Sequence, residues 1–291
     1  MPIAITPEHH ELANSVRSLV TRVAPSELLH AGLETPLGNP PPFWQAAAEQ
    51  GLHGVHLAES VDGQGFGLLE LAIVIAEFGY GAVPGPFVPS VIASALIAAH
   101  DPDDKLLAAL ASGEIIAGFA LESGLTATRH NNILTVRGEA RPAPAAGQAS
   151  VLVLPVAGLA SESSGSEWVV LDAASLEIEP VKSVDPLRPV AHVRANAVEV
   201  GLDRVLSSLS PAAARAIITT LLSAEAVGIA RWATDTAAAY AKIREQFGRP
   251  IGQFQAIKHK CAQMIATTER ATAAVWDAAR ALDEKSDVEF A

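Results

Sequence analysis

A chain of 291 residues, 49% of them hydrophobic, can bury a large core and is expected to divide into two or three structural units. Its formal net charge of -12 offers no basic surface to a nucleic acid, and its single cysteine, Cys261, excludes a disulfide framework and fits a reducing compartment. No apolar run reads as long enough to span a bilayer, and the start Met1-Pro-Ile-Ala-Ile-Thr-Pro-Glu8 lacks the basic start and apolar core of a signal peptide, so a cytoplasmic protein without a membrane partner is expected.

The first third of the chain reads as helical. Thr6 is an N-cap with Pro7 at the first helical position, and Leu12, Val16, Leu19 and Val23 follow at helix spacing. Further helices are expected over 43–51, 68–81, 89–100 and 101–112, the last opened by Asp101-Pro102 as cap and first helical residue. Between them, 54–67 is a glycine-punctuated loop. Its Gly63-x-Gly65-x-Gly67 spacing imitates a phosphate-binding turn, but no strand precedes it in a βαβ unit, so a structural loop is expected. The His9-His10 pair reads as surface, and none of the nine histidines forms a metal-like pair, so no metal site is expected.

From 113 to 209 the pattern switches to strands. Short β-branched runs at 115–121, 133–136, 150–156, 168–171 and 190–200 are separated by Gly, Pro, Ser and Asp clusters, as in a small antiparallel barrel. The stretches 141–148 and 158–166 read as low-complexity loops.

Ser210-Pro211 is a cap and first-turn pair that opens a long helix running to Arg244, about 50 Å at roughly 1.5 Å per residue. Ile217, Leu221, Ala224 and Gly228 mark one apolar stripe on it. A second helix over 254–282 supplies an antiparallel partner, with Ile257, Cys261, Met264 and Ile265 inward and the lysines outward. Between the two, Arg244 in the last turn, Gly248 as a left-handed stop and Pro250 as a block make a tight corner. The fold expected is α+β, mostly α: an N-terminal helical domain at 1–112, a middle antiparallel β-barrel at 113–209 and a C-terminal helical bundle at 210–291 that looks truncated.

Taken in order, Arg244-x-Gln246-Phe247-Gly248-x-Pro250-Ile251-x-x-Phe254-Gln255-x-Ile257-x-His259-x-x-Ala262-x-Met264, with Tyr240 one turn upstream, resembles the helix-helix corner of the acyl-CoA dehydrogenase family, flavoenzymes that desaturate acyl-CoA thioesters. The segments Trp44-Gln-Ala-Ala-Ala-Glu-Gln-Gly51, Pro84-Gly-Pro-Phe87 and Asp185-Pro-Leu-Arg188 are similar to family elements, and helices, barrel, helices is the family order. The resemblance implies FAD as cofactor, an acyl-CoA substrate and an electron-transfer flavoprotein as electron acceptor. In the family this corner crosses a subunit interface. It implies Arg244 on the pyrophosphate of the neighbour's FAD, with Gln246, Phe247, Ile251, Phe254 and Gln255 flanking the rest of the cofactor. A guanidinium suits that place because it offers a bidentate fork to phosphate oxygens.

Three departures from the family narrow the expectation. The sequence stops at Val288-Glu-Phe-Ala291, about where family members begin the third of four C-terminal helices, so either it is a shortened version of a longer chain or another subunit covers the bundle. Where members hold the flavin ring with a Thr-Glu-Pro-like turn and a Trp-x-Thr, this chain has Leu121-Glu122-Ser123 and Pro142-Ala143-Pro144, and proline has no backbone N–H to offer. The place some members use for the catalytic glutamate falls on Ile218; Glu225 is the nearest carboxylate, followed by Asp235 and Glu245, and no base is assigned.

The expectation is a subunit of an FAD-dependent acyl-CoA dehydrogenase for a bulky or branched acyl-CoA, resembling the smaller subunit of the actinobacterial, sterol side-chain type heterotetramers. It would complete the FAD site of a larger acyl-CoA dehydrogenase-like partner rather than supply the base. Two alternatives stay open: a complete homomeric dehydrogenase whose last helices are missing, and a flavin-free structural or regulatory relative.

Overall fold

A computed structural model of the chain describes residues 5–34, 40–100, 104–159 and 166–284. The expected cap at Asp101-Pro102, most of the loop at 158–166 and the segment Val288–Ala291 lie outside them.

Helix α1 (Pro7–Val23) buries Val16, Leu19 and Val20 on one face, as its spacing requires. Its start is tied down by His9, whose Nδ1 accepts from the Thr6 N–H at 3.0 Å. With that lone pair engaged, the ring proton sits on Nε2, which donates to Glu70 Oε1 at 2.8 Å. His9 is therefore a half-buried brace, while His10 is exposed as expected. Helices α2 (Ser26–Glu34), α3 (Phe43–Glu49), α4 (Leu68–Tyr80), α5 (Phe87–Ala98) and α6 (Asp104–Ala111) follow. The short α2 carries no clear apolar period in the sequence and was not expected.

Helix α4 is buried nearly all round and forms the centre of the helical layer. Three amides at its N-terminus are satisfied by two carboxylates: Glu70 accepts from Gly67 at 2.9 Å, and Asp283, far along the chain, accepts from Leu68 at 2.7 Å and Leu69 at 3.1 Å. Inside, the Glu77 carboxylate, 1% exposed, receives Arg17 at 2.9 and 3.0 Å and Arg231 at 2.6 Å. Burial of that charge is offset because both of its oxygens are bonded.

Helix α7 (Pro211–Ile243) is capped by Ser210, whose hydroxyl accepts from Ala213, and crosses α4 so closely that glycines meet backbone. A Cβ at Gly228 would lie 2.0 Å from the Ala76 carbonyl oxygen, and one at Gly79 2.2 Å from that of Glu225. An 18-residue window of α7 has mean hydropathy 1.4, against the expectation that no run is apolar and long enough to span a bilayer; half of that window is buried within the fold, the mark of a core helix. Helix α8 (Gln255–Asp283) returns beside it, joined by the buried Thr234–Thr268 hydroxyl pair. Ile257, Cys261 and Met264 are half-buried there, but Ile265, expected inward, is 49% exposed, because the contact with α7 is narrower than a full bundle seam.

The middle region forms two sheets around a core of their own. β1 (Ala117–Phe119), β4 (Val151–Val156) and β5 (Glu167–Asp172) make one, with β1 parallel to β4; β2 (Thr126–His130), β3 (Ile133–Pro144), β7 (Val190–Gly201) and β6 (Glu177–Val181) make the other, antiparallel throughout. Isolated bridges join their edges, Ser123 to Ala140 and Thr126 to Ala157. The expected low-complexity loop from 141 is in fact the end of β3, which absorbs Pro142 at an irregularity between Ala140 and Ala143 and still pairs Pro144 with Val190. The other face of β4 and β5 joins the helical core through Val151, Val153, Trp168 and Val170. The glycine-punctuated loop is structural: Gln64 donates to Gly54 and Gly65 to Leu57, at 2.9 and 2.8 Å, so those amides are spent internally.

Candidate functional site

The corner after α7 is a small hairpin rather than a bare turn. The helix stops at Ile243, and Arg244 is already extended, with φ -74° and ψ 122°. β8 (Glu245–Gln246) then pairs antiparallel with β9 (Arg249–Pro250) around Phe247-Gly248. Both tip residues have positive φ, 54° and 75°, the conformation a two-residue hairpin needs and glycine readily takes. Gly248 thus serves the hairpin, not a left-handed end of α7. Ile251 donates to the Arg244 carbonyl at 2.8 Å, and Gly252 sits so near α7 that a Cβ would lie 2.8 Å from the Ala241 oxygen, so the hairpin is clamped to the helix that carries it.

The structure gathers the expected corner residues on this one projection. Phe247 is 92% exposed, with Phe254 edge-on to it at 6.1 Å and the Arg249 guanidinium 4.3 Å above the Phe254 ring. Arg244, Gln246 and Gln255 are exposed, Ile251 and Phe254 half-buried. Gln246 bonds only its neighbour's carbonyl at 2.8 Å, and among the described residues the Arg244 guanidinium has no acceptor. A hairpin clamped to α7 thus carries an exposed aromatic ring and, among the described residues, a cation without an acceptor. Phosphate oxygens and a flat ring are what such a set can hold.

A second feature lies where helices and sheets meet: a cavity of about 460 Å³. Leu121 and Glu122 line it from the turn after β1, Arg141, Pro142 and Pro144 from β3, Val88 and Pro89 from α5, and Leu222 and Glu225 from α7. The two places matched to the family's flavin cradle thus share one wall with the candidate base. Neither place offers the side-chain hydroxyl and stacked ring expected of a flavin cradle, although Glu122 and Arg141 also line the cavity. Pro142 and Pro144 have no N–H, and the Ser123 hydroxyl is committed to the backbone, donating to the Pro155 carbonyl and accepting from Leu125 at 3.2 Å.

Glu225 is not a free carboxylate. It is ion-paired with Arg188, whose Nη2 also donates to the Val83 carbonyl at 3.1 Å and whose Nε faces Asp185 at 3.7 Å. A base must be open to the substrate proton, and this carboxylate is already engaged by the Arg188 guanidinium. Ile218 is wholly buried in the helical core. Asp235 accepts from the Tyr80 hydroxyl at 3.1 Å, and Glu245 lies on the hairpin. Sequence reasoning saw Arg188 only as part of a turn; that it ends in the cavity against α7 depends on pairing across 37 residues that no local pattern carries.

Comparison with known proteins agrees with this geometry. Residues 6–114 match the model of the acyl-CoA dehydrogenase N-terminal domain and residues 219–290 that of the acyl-CoA dehydrogenase C-terminal domain. The chain is 36% identical over 247 residues to the acyl-CoA dehydrogenase FadE34 of Mycobacterium tuberculosis, covering 82% of this chain but only 32% of that protein. It is 31% identical over 277 residues to the acyl-CoA dehydrogenase IpdE2 of the same organism, covering 94% of this chain and 76% of that one. Among solved structures, a variant of the Tcur3481-Tcur3483 steroid ACAD superposes with a TM-score of 0.87 at 27% identity, over 95% of this chain and 78% of the other. The chain therefore belongs to the acyl-CoA dehydrogenase family, whose members are oxidoreductases.

Proposed function

We propose that the chain is the cofactor-completing subunit of an FAD-dependent acyl-CoA dehydrogenase. It presents the hairpin bearing Arg244, Gln246 and Phe247, with Ile251, Phe254 and Gln255 behind it, to FAD held by a larger acyl-CoA dehydrogenase-like partner. That partner supplies the ring cradle and the base for α,β-desaturation of an acyl-CoA, and an electron-transfer flavoprotein takes the electrons. The observation carrying this reading is the contrast between the two places: the hairpin is rigid, exposed and unpaired, while the chain's own cradle is built of proline and a spent serine. In the complex, FAD supplies the hydride acceptor; this chain's part is to bind and orient. Arg244 neutralises phosphate charge, and Phe247 excludes water from a ring face.

A partner is also favoured by the outer face of α7, where Leu222, Ile229, Trp232, Tyr240 and Ile243 are 39 to 76% exposed. At about 100° per residue all five fall within roughly 80° of arc on one side of the helix, and such a patch marks an interaction surface. The likeness to a steroid ACAD named for two proteins supports both a heteromer and a bulky acyl group.

The test is co-expression with a candidate larger subunit, reading flavin absorbance per complex. Arg244→Ala is expected to weaken FAD retention by about 1.5–3 kcal/mol, roughly ten- to a hundredfold, while the complex still assembles. Stoichiometric FAD on this chain alone, reduced by an acyl-CoA, would sink the reading.

A further inference from the structure

The end of the α7–α8 pair is charged oppositely to the rest of the molecule. Lys242, Arg244, Arg249, Lys258 and Lys260 stand there against Glu245 alone, a net +4; with -12 for the whole chain, the remainder carries -16. All five cations are exposed, and among the described residues none is ion-paired. Arginines elsewhere do meet carboxylates, as Arg17, Arg194 and Arg204 show. In a chain with 32 acidic residues to 20 lysines and arginines, an unanswered cluster of cations is a surface left for something else.

We infer that this end docks on a protein face with an apolar centre and an acidic rim, carried by the larger subunit, and that charge steers the two together. The inference rests on the partner proposed above, but it concerns that partner's surface rather than its cofactor. Tyr240, Ile243 and Phe247, 52, 76 and 92% exposed, supply the apolar centre on this side. The cations surround them. Lys242 and Arg244 flank Ile243 in the chain, Arg249 lies on the other strand of the hairpin, stacked on Phe254 at 4.3 Å, and Lys258 and Lys260 stand on opposite flanks of the first turns of α8. An apolar centre with a charged rim is how protein interfaces are built, the rim setting encounter rate and partner choice.

Other occupants fit less well. A pyrophosphate answers only part of this surplus of charge. A nucleic acid or an anionic bilayer is broader than the patch and would also meet the acidic remainder, which repels it. A second copy of this chain has no matching face: away from α7, the hairpin and α8, the large apolar residues exposed among the described ones are Leu33, Phe66, Ile133 and Val184, in four separate segments rather than one stripe. Offering the same end twice would set cations against cations.

The experiment mixes the purified full chain with the candidate larger subunit and follows association and dissociation at about 50 and about 500 mM salt. Lys258→Glu with Lys260→Glu should slow association about tenfold at low salt and change dissociation less than about twofold; high salt should slow the native chain similarly and the variant hardly at all. Arg22→Glu with Lys105→Glu, the same change of net charge at exposed sites on α1 and α6, should leave the rate within about twofold. Ile243→Asp should instead speed dissociation at least about tenfold. Circular dichroism and thermal melts establish that each variant is folded. The inference is overturned if association ignores both salt and the lysine reversals, if the α1 and α6 reversals slow it equally, or if Ile243→Asp leaves dissociation unchanged. It is also overturned if the chain alone forms oligomers, or binds anionic phospholipid vesicles, that the lysine reversals release. Flavin per assembled complex should be equal with and without the lysine reversals. Arg244→Ala that left flavin retention unchanged would sink the cofactor role alone, because docking is read from the rates.

Discussion

His53 and His56 show how a few side chains fix the working range of the molecule. His53, buried between Trp44 and Phe87 at ring distances of 4.1 and 5.1 Å, donates to the Trp44 carbonyl at 3.2 Å, and burial pulls its pKa down to about 4. His56 is pulled to about 3 by burial; its Nε2 bonds Ser94 at 3.1 Å, and its Nδ1 has no partner. In the unfolded chain both rings take a proton near pH 6.5, but in the folded chain only near 4 and 3. Acid therefore favours the unfolded state: the stabilisation is complete above about pH 6.5 and is lost as the pH falls toward those values. Thermal melts should be flat from pH 8 to about 7 and decline between about 6.5 and 4.5, before ordinary carboxylates titrate. His56→Gln should make that decline shallower; an identical slope would show that His56 does not couple to folding. None of this was legible in the sequence, where no local pattern marks either histidine as buried. Arg244 and Phe247 were legible as recognition residues because their order is local, whereas the Arg188–Glu225 pair was not.

At the level of elements, helices with strong periodicity and caps could be read almost to their ends, as α1, α4 and α7 show. Strands fared worse where proline intervened. The strand was expected only over 133–136, so β3 was missed from Arg137 onward; the rule that proline breaks a ladder hid its end, yet the sheet accommodates Pro142 by slipping register. β2 and β6, mostly exposed, gave no alternation strong enough to find them. The α4–α7 crossing was half visible: Gly228 lies on the expected apolar stripe, but its purpose, letting backbones touch, appears only in three dimensions. Gly228→Ala places a methyl carbon against the Ala76 carbonyl and the Tyr80 amide, which as fixed backbone cannot turn aside. The helices must separate, and the loss of stability should be about 1–3 kcal/mol by urea denaturation. The same change at an exposed helical glycine would stabilise by up to about 1 kcal/mol, so an unchanged or raised midpoint would refute the close crossing.

For the whole molecule, α7 acts as a ruler. Glu225 looks into the chain's own cavity and Arg244 stands at the hairpin, separated by 244 - 225 = 19 residues of a continuous helix, or about 28 Å at 1.5 Å per residue. Because α7 is pinned to α4 by glycine contacts and to α8 by the Thr234–Thr268 pair, that separation does not close. A ligand in the cavity and a cofactor at the hairpin would therefore be separate binding events, and on the proposed role flavin in a complex should be counted by partner cradles rather than by chains. In an assembly with equal numbers of the two subunits, absorbance and mass together should give one flavin per pair. A value of two would mean that this chain also fills its own cavity with cofactor. A tally of molecules thus reads out the spacing along a single helix.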